Sequence, residues 1–323
     1  MSKGKVLSIQ SYVVSSYVGG KGVTLTLETN GYDVNSIYSV IFSNHTAYVK
    51  IFGSVQEESD FSELYNGLKH NQLNHYDYVI SGFMRSSSFA NYLSKVLHEL
   101  KQQNPNIFYL CDPVLGDKGV FYCPESFVEM YNNQLLPFAD VTTPNQFEAE
   151  KLSGVTIKSK PDAIMACRKL HQFGASTVII TSVEGLTTSP KTLTCVLSDT
   201  FENEDDLEIK TIFIDFPKLD QYAIGTGDCF AALIIATFDY RGFQITFQQK
   251  IDAVCRSLTA MNRIIQRSLL EDRHIRTINK EYQQSAVMNH CELALADCID
   301  IILDLTTTNE NITLSRVTTS NMY

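Results

Sequence analysis

The sequence predicts an α/β fold: a central, mostly parallel β-sheet flanked by helices on both faces. Three observations predict it. Short β-branched apolar runs alternate with longer helical patterns, small polar clusters recur directly after those runs, and the composition is that of a globular chain. The 323 residues are 44% apolar and 19% charged, enough to bury a full core. Strand–helix alternation implies parallel pairing, because each helix carries the chain back across the sheet before the next strand begins.

Lys5–Gln10, Val34–Phe42, Tyr76–Ser81, Ile107–Asp112, Asp140–Thr143 and Thr177–Thr181 read as strands. Between and after them, Val23–Asn30, Phe61–Asn71, Ser88–Gln103, Ser126–Leu136, Gln146–Leu152 and Pro161–Phe173 carry helical spacing. Lys191–Ile214 changes character: β-branched residues flank the acidic Glu202–Asp206, which reads as a hairpin. Gly227–Tyr240 and Thr246–Gln266 follow as two long helices. His290–Leu305 has helical spacing, whereas Thr306–Tyr323 is polar, rich in Thr and Asn, and reads as frayed or disordered. The expected organisation is one main domain over residues 1–270, then a C-terminal helical extension and polar tail over residues 271–323.

Charge and cysteine usage narrow the function. Twenty-six basic residues against 36 acidic ones give a net charge of −10. Nucleic acid is disfavoured as a partner, since its affinity comes largely from basic side chains displacing counterions. Small phosphates remain open, because a pocket of backbone amides can hold them on an acidic protein. The eight cysteines include no Cys-x-x-Cys pair, which argues against zinc and for buried, reduced thiols. The N-terminal residues lack the apolar stretch of a signal peptide, and Cys229–Ala236, the most apolar run, is far too short to span a bilayer. A cytoplasmic protein with no membrane association is expected.

Ligands of open α/β sheets bind at the carboxyl ends of the strands. The polar clusters Ser8–Ser11, Ser43–Thr46, Asp112-Pro113, Thr143–Asn145 and Thr181-Ser182 all fall there. Singly, each is open to a plainer reading as turn or helix-cap chemistry; together they would line one crevice.

Gly225-Thr226-Gly227-Asp228 precedes the apolar helix that begins Cys229-Phe230-Ala231. Glycines let a ligand approach the backbone, and the first helical amides have no internal partners. Such a helix start suits a nucleotide's outer phosphate, and Asp228 beside it suits proton abstraction from an attacking hydroxyl. Asp228 as a simple helix cap is the alternative. No Walker loop exists, and Gly19-Gly20-Lys21-Gly22 has the wrong spacing for one. Asp112 and Asp117 after one strand, and Asn145 and Glu148 one helical turn apart, are the sparse oxygen donors that magnesium takes beside phosphates. Asn145 and Glu148 are equally well read as a helix-start hydrogen-bonding pair.

Taken together, the segments are similar to the pyridoxal kinases, the vitamin B6 kinases of the ribokinase-like superfamily. The matching pieces are residues 6–11, Tyr17-Val18-Gly19, residues 42–46, residues 76–79, residues 100–105, the run Cys111–Asp117, the run Thr143–Glu150 and Gly225–Asp228, in the family's order across roughly residues 5–268. The resemblance implies a ribokinase-like fold and ATP-dependent phosphorylation of the pyridoxal 5′-hydroxyl. It implies Asp228 as the base, with Gly225, Thr226 and Gly227 as an anion hole. Ser11 and Thr46 would contact the pyridine ring and its substituents, with Val18, His45 and Phe83 nearby. Asp112, Asp117, Tyr122, Thr143, Asn145, Thr181, Ser182, Lys218 and Thr226 would lie around ATP. Asp112, Asn145 and Glu148 would hold the metal, directly or through water. Mg2+ with ATP, an activating K+ and a homodimer belong to the same expectation.

One departure is Phe83, where the family commonly has tyrosine; the ring is kept and the hydroxyl lost. Two readings compete with this one: a hydroxymethylpyrimidine or sugar kinase of the same fold, and a non-catalytic homologue that binds pyridoxal phosphate. Gly19-Gly20 lacks the asparagine that sugar kinases place after such a pair. Cys123, His98 and His171 are set aside as packing or surface residues.

Overall fold

A computed structural model describes residues 2–202, 207–220, 222–238, 240, 245–270, 291–309 and 311–317. The first half comprises β1 (Lys5–Val13), α1 (Gly20–Thr29), β2 (Asp33–Phe42), β3 (Gly53–Val55), α2 (Glu58–His70), β4 (Tyr78–Ser81), α3 (Ser87–Gln103) and β5 (Phe108–Cys111). A two-stranded ribbon of β6 (Gly116–Asp117) and β7 (Val120–Phe121) leads to α4 (Phe127–Met130), β8 (Val141–Thr142), α5 (Gln146–Ser153), α6 (Lys160–Gln172) and β9 (Thr177–Val183). The hairpin strands β10 (Thr192–Glu202) and β11 (Leu207–Pro217), then α7 (Thr226–Phe238), α8 (Phe247–Leu270), α9 (Ile299–Leu303) and β12 (Thr313–Val317), complete the described chain.

Helix boundaries follow local chemistry. Ser86 accepts from the Phe89 amide to open α3, and Ser159 does the same for Asp162 in α6, which carries Pro161 in its first turn. Gly154, at φ 71°, ends α5 in a left-handed turn.

Ten strands form the main sheet in the order β12-β11-β10-β9-β8-β5-β4-β1-β2-β3. The six from β9 to β2 are mutually parallel, while β3 at one side and β10, β11 and β12 at the other each pair antiparallel with the strand before them in the sheet. The chain runs outward from β1 to β2 on one side, then returns to place β4 on the other. The β1/β4 junction is therefore the switch point where a crevice opens above the strand ends.

Alternation along the strands supplies two cores. Leu7 and Ile9 pack with Phe61, Phe89, Leu93 and Leu170 on one face, under α2, α3 and α6. Val6, Ile80 and Leu110 pack on the other with Val23, Leu27, Leu233 and Ile264, under α1, α7 and α8. Leu293, Leu295, Ile301 and Ile302 belong to this second core.

The sequence-based elements differ from the structure in informative places. Ser126–Leu136 is not one helix: α4 widens into a π turn at Tyr131–Leu135 and tightens into a 3-10 turn at Leu136–Phe138, where Pro137 supplies no amide donor. His290–Leu305 reduces to a 3-10 turn at Leu295–Cys298 followed by α9, His290 itself lying outside the described residues. Thr313–Val317, expected to be frayed, pairs with β11 as an edge strand; its alternation is too short and too polar to stand out in sequence. The strand Lys5–Gln10 continues to Val13 through a bulge between Gln10 and Ser11, so the Ser8–Ser11 cluster lies within β1. The hairpin forms, but the centre of its acidic turn, residues 203–206, lies outside the described residues, as do residues 318–323 of the tail.

All eight cysteines are free thiols, seven of them buried. Among the described residues no helix is long and apolar enough to cross a membrane. Leu233 is fully buried in α7. Leu233→Ala is expected to lower unfolding free energy by about 2–5 kcal/mol in a denaturant titration; a loss below about 1 kcal/mol would contradict its packed setting.

Candidate active site

Gly225 has φ 89°, in the left-handed region that favours glycine, and turns the chain directly into α7. The first helical hydrogen bond runs from Cys229 N to Gly225 O at 3.3 Å, which leaves the preceding amides of the turn unpaired within the helix. Asp228 sits in this first turn and is 9% exposed. Its Oδ2 accepts a buried hydrogen bond from the Gly19 amide at 2.8 Å. Burial raises its pKa to about 6, against the opposing pull of Gly19 N–H. At neutral pH the carboxylate is therefore mostly ionised, with a proton affinity near that of a useful general base.

Asp112, the first residue beyond β5, faces this helix start. A Cβ placed on Gly227 would stand 3.8 Å from Asp112 Oδ2. Asp112 is 4% exposed, and its Oδ1 accepts from Thr143 Oγ1 at 3.2 Å. Burial foremost, then the charges of Glu148 and Asp228, push its pKa well up. Glu148, also 4% exposed, is pushed up to about 8, chiefly by burial. Three carboxyl groups thus converge on one buried space, and none of them has a Lys, Arg or His ion pair among the described residues. Such a set retains protons that a cation carried in with phosphates would displace.

Asn145 and Glu148 form both halves of a capping box: Asn145 Oδ1 accepts from Glu148 N at 2.9 Å, and Glu148 Oε2 from Asn145 N at 2.8 Å. The same two side chains also hold the segment after Asp112. Glu148 Oε1 accepts from Leu115 N at 3.0 Å and Gly116 N at 3.4 Å, while Asn145 Nδ2 donates to Gly116 O at 2.8 Å. The helix-start reading and the site reading of these residues are therefore compatible.

On the other side of α7, a Cβ on Gly225 would lie 3.4 Å from Tyr17 O and 3.5 Å from Val18 Cγ2. Ser11 is 5% exposed and abuts Gly19. Phe83 is 9% exposed and follows Gly82, which lies against the Gln10 side chain; its carbonyl accepts from Ser39 Oγ at 2.5 Å. His45 is buried and Thr46 exposed in the turn after β2. Thr181 N donates to Pro144 O at 2.9 Å, joining the ends of β8 and β9, and Ser182 is the next residue of β9. Lys218 Nζ reaches Glu184 Oε1 at 3.0 Å across an exposed edge. Tyr122 is 37% exposed, its pKa raised chiefly by burial and secondarily by Tyr222, to which its hydroxyl is hydrogen-bonded. Asp117, in β6, adds its charge to Tyr122 and Glu148.

The fold thus gathers Asp112, Thr143, Asn145, Glu148, Gly227 and Asp228 most tightly, with Ser11 and Val18 against the glycine turns. Thr46 and Lys218 stand further out. Sequence reasoning missed the part of Gly19: in Gly19–Gly22 the spacing was wrong for a phosphate loop, yet Gly19, at φ 64°, aims its amide at Asp228. It also missed Tyr222, Tyr48 and Glu292, which carry no local motif. Cys123 is inert as expected: buried beneath the Val114 and Leu115 carbonyls, its thiol is pushed up to about 12.

A glycine-led helix start facing buried carboxylates at the ends of parallel strands defines the class, an α/β small-molecule kinase. The model of the phosphomethylpyrimidine kinase family matches residues 76–269. Human pyridoxal kinase is 41% identical over 238 residues, 72% of this chain and 76% of that protein. The Arabidopsis thaliana enzyme is 38% identical over 271 residues, 83% of each. Pyridoxal kinase from Leishmania donovani in complex with ADP superposes with a TM-score of 0.82 at 29% identity, covering 97% of this chain and 99% of that one. The same Leishmania protein has been solved with ADP and pyridoxamine. This chain belongs to the pyridoxal kinase family.

Gly19 offers a controlled test. A Cβ there would meet Ser11 Oγ at 2.2 Å and Ser11 O at 2.4 Å, whereas one on Gly154, also left-handed, meets nothing within 4 Å. Gly19→Ala is expected to lose about 10²-fold in kcat by shifting the Asp228 contact. Gly154→Ala should cost only about 1–2 kcal/mol of stability. Equal turnover by the two variants would contradict the Gly19–Asp228 coupling.

Proposed function

We propose that this chain transfers the terminal phosphoryl group of ATP to the 5′-hydroxyl of pyridoxal, and likewise of pyridoxine and pyridoxamine, releasing ADP and the 5′-phosphate in vitamin B6 salvage. The observation that carries the reading is Asp228, ionised, buried and fixed by Gly19, in the first turn of a helix that opens at Gly225. In this reading Asp228 takes the proton of the attacking hydroxyl. The Gly225–Gly227 amides stabilise charge on the transferred group, which needs positioning and electrostatics more than covalent help.

Ser11, Val18, His45, Thr46 and Phe83 form the vitamer side. Asp117, Tyr122, Thr143, Thr181, Ser182, Thr226 and Lys218 form the nucleotide side. The buried carboxylates fit a divalent ion, and Mg2+ entering with ATP would supply neutralisation of phosphate charge. Asp112 would offer it an oxygen directly, while Asn145 and Glu148, whose side chains already bond backbone groups, would act through water. K+ as an activator and a cytoplasmic location complete the reading.

The phosphomethylpyrimidine kinase match keeps a hydroxymethylpyrimidine substrate as the second reading. Competition between pyridoxal and hydroxymethylpyrimidine for Mg-ATP turnover separates the two, and ATP consumption that does not depend on pyridoxal would remove the first. A homodimer is also proposed. The exposed apolar side chains Val14, Ile41, Val49 and Phe52 gather at the β2–β3 edge of the sheet and are suited to burial against a second copy. Sedimentation velocity should give twice the chain mass, falling to one with Phe52→Asp; a monomeric wild type rejects the pairing.

Asp228→Asn should reduce pyridoxal kcat roughly 10²–10⁴-fold with ATP affinity nearly unchanged. In the wild type, kcat/KM should fall below pH of about 6 as Asp228 takes up a proton, because only the ionised form accepts one from the substrate. An unaltered kcat in the variant removes Asp228 as base.

A further inference from the structure

The segment after residue 290 makes a contact that no part of the phosphoryl-transfer machinery explains. Ile224, the residue immediately before Gly225, donates its amide to Cys291 O at 2.7 Å and accepts from Leu293 N at 3.4 Å. These bonds form an isolated parallel bridge between Ile224 and Glu292. They leave the Glu292 side chain 3% exposed, against the turn that follows β2. There its Oε1 accepts from Tyr48 OH at 2.9 Å and lies 3.0 Å from His45 Nε2.

The imidazole is held from three directions. The Ala47 amide donates to Nδ1 at 3.3 Å, so that nitrogen carries a lone pair and the ring proton belongs on Nε2. Nε2 lies 3.0 Å from the Glu292 oxygen but outside hydrogen-bond geometry, so the two meet in a close electrostatic contact, which an Nε2–H tolerates and a bare nitrogen lone pair would not. The Tyr48 ring packs against the imidazole with centroids 4.6 Å apart. Ser43, at the start of the turn, is tied to the end of β1 through Ser15 N to Ser43 O at 3.0 Å. The same β1 connection leads within three residues to Val18, beside Gly225.

With both nitrogens directed at protein atoms, His45 has only its ring surface to present to a ligand. A flat, uncharged face matches an aromatic pyridine. A ring free to flip would instead present polar edges.

We infer that Glu292 is a positioning residue for the vitamer. It holds the rotation of His45 by contact and, through its backbone bridge to Ile224, keeps the vitamer wall in register with the Gly225–Asp228 turn. This rests on the proposed membership of His45 in the vitamer pocket. The consequence is a selective one: loss of the Glu292 carboxyl oxygen should weaken the vitamer's hold and leave the nucleotide's alone.

The test compares wild type, Glu292→Ala, Glu292→Gln and Tyr48→Phe. KM for pyridoxal and for ATP, kcat, melting temperature and the imidazole tautomer by 15N NMR are read in each. Glutamine keeps an acceptor oxygen and should stay within about threefold of wild type. Alanine should raise KM for pyridoxal about tenfold, with kcat and KM for ATP within about twofold. Tyr48→Phe should raise the same KM by a smaller factor, and it serves if the alanine variant does not fold. The Nε2–H tautomer, set by the Ala47 amide, should be present in every variant, with the Nε2 resonance displaced in Ala alone.

Equal rises in both KM values, an alanine variant with wild-type KM, or an active wild type carrying the Nδ1–H tautomer would overturn the inference and leave the kinase reading standing. A wild type that shows the Nε2–H tautomer yet never phosphorylates pyridoxal would overturn the kinase reading, and with it the role in vitamer binding, while leaving the Glu292–His45 contact.

Discussion

The site depends on three carboxyl groups buried without a basic partner. Asp112, Glu148 and Asp228 are brought out of water at the ends of parallel strands and the start of α7, and no basic side chain pairs with them among the described residues. At pH 7 burial leaves Asp112 and Glu148, the latter with its pKa at about 8, largely protonated, while Asp228, at about 6, is mostly ionised. Backbone amides temper the effect, three donating to Glu148 and one to Asp228. A metal ion accompanying phosphate would displace the protons of such a set and restore its carboxylates, which bare phosphate would not do.

Structural residues and site residues overlap here. Asn145 and Glu148 start α5, and in doing so hold the Leu115–Gly116 segment that runs from Asp112 into the β6–β7 ribbon. Gly19 begins α1 and fixes the orientation of Asp228 across the crevice. Helix capping, usually a matter of stability alone, becomes here the means by which distant strand ends keep their carboxylates in register.

The sheet, its two helical layers and the Gly225–Asp228 turn were legible in sequence, because period-two apolar runs and glycine-led turns leave local signals. The Asp112 and Thr143 segments were legible for the same reason, each following directly on a buried strand. What escaped depends on contacts far apart in the chain. Glu292 meets Tyr48 across 244 residues of sequence, and His45 from a little further, in a stretch read only for its helical spacing. Gly19 was judged by the spacing rule for a phosphate loop, when its work is to direct one amide. β12 was hidden by its polarity, natural for an edge strand with one open side. Ser126–Leu136 was read as one helix because periodicity does not reveal the widened turn ahead of Pro137.

Ten of the thirteen residues of α7 are buried, distributed around its whole circumference, so the helix has no solvent-facing side along which to tilt. The floor on which phosphate would rest is consequently held by packing on every side. A ligand seated there would meet amides whose positions are set before it arrives.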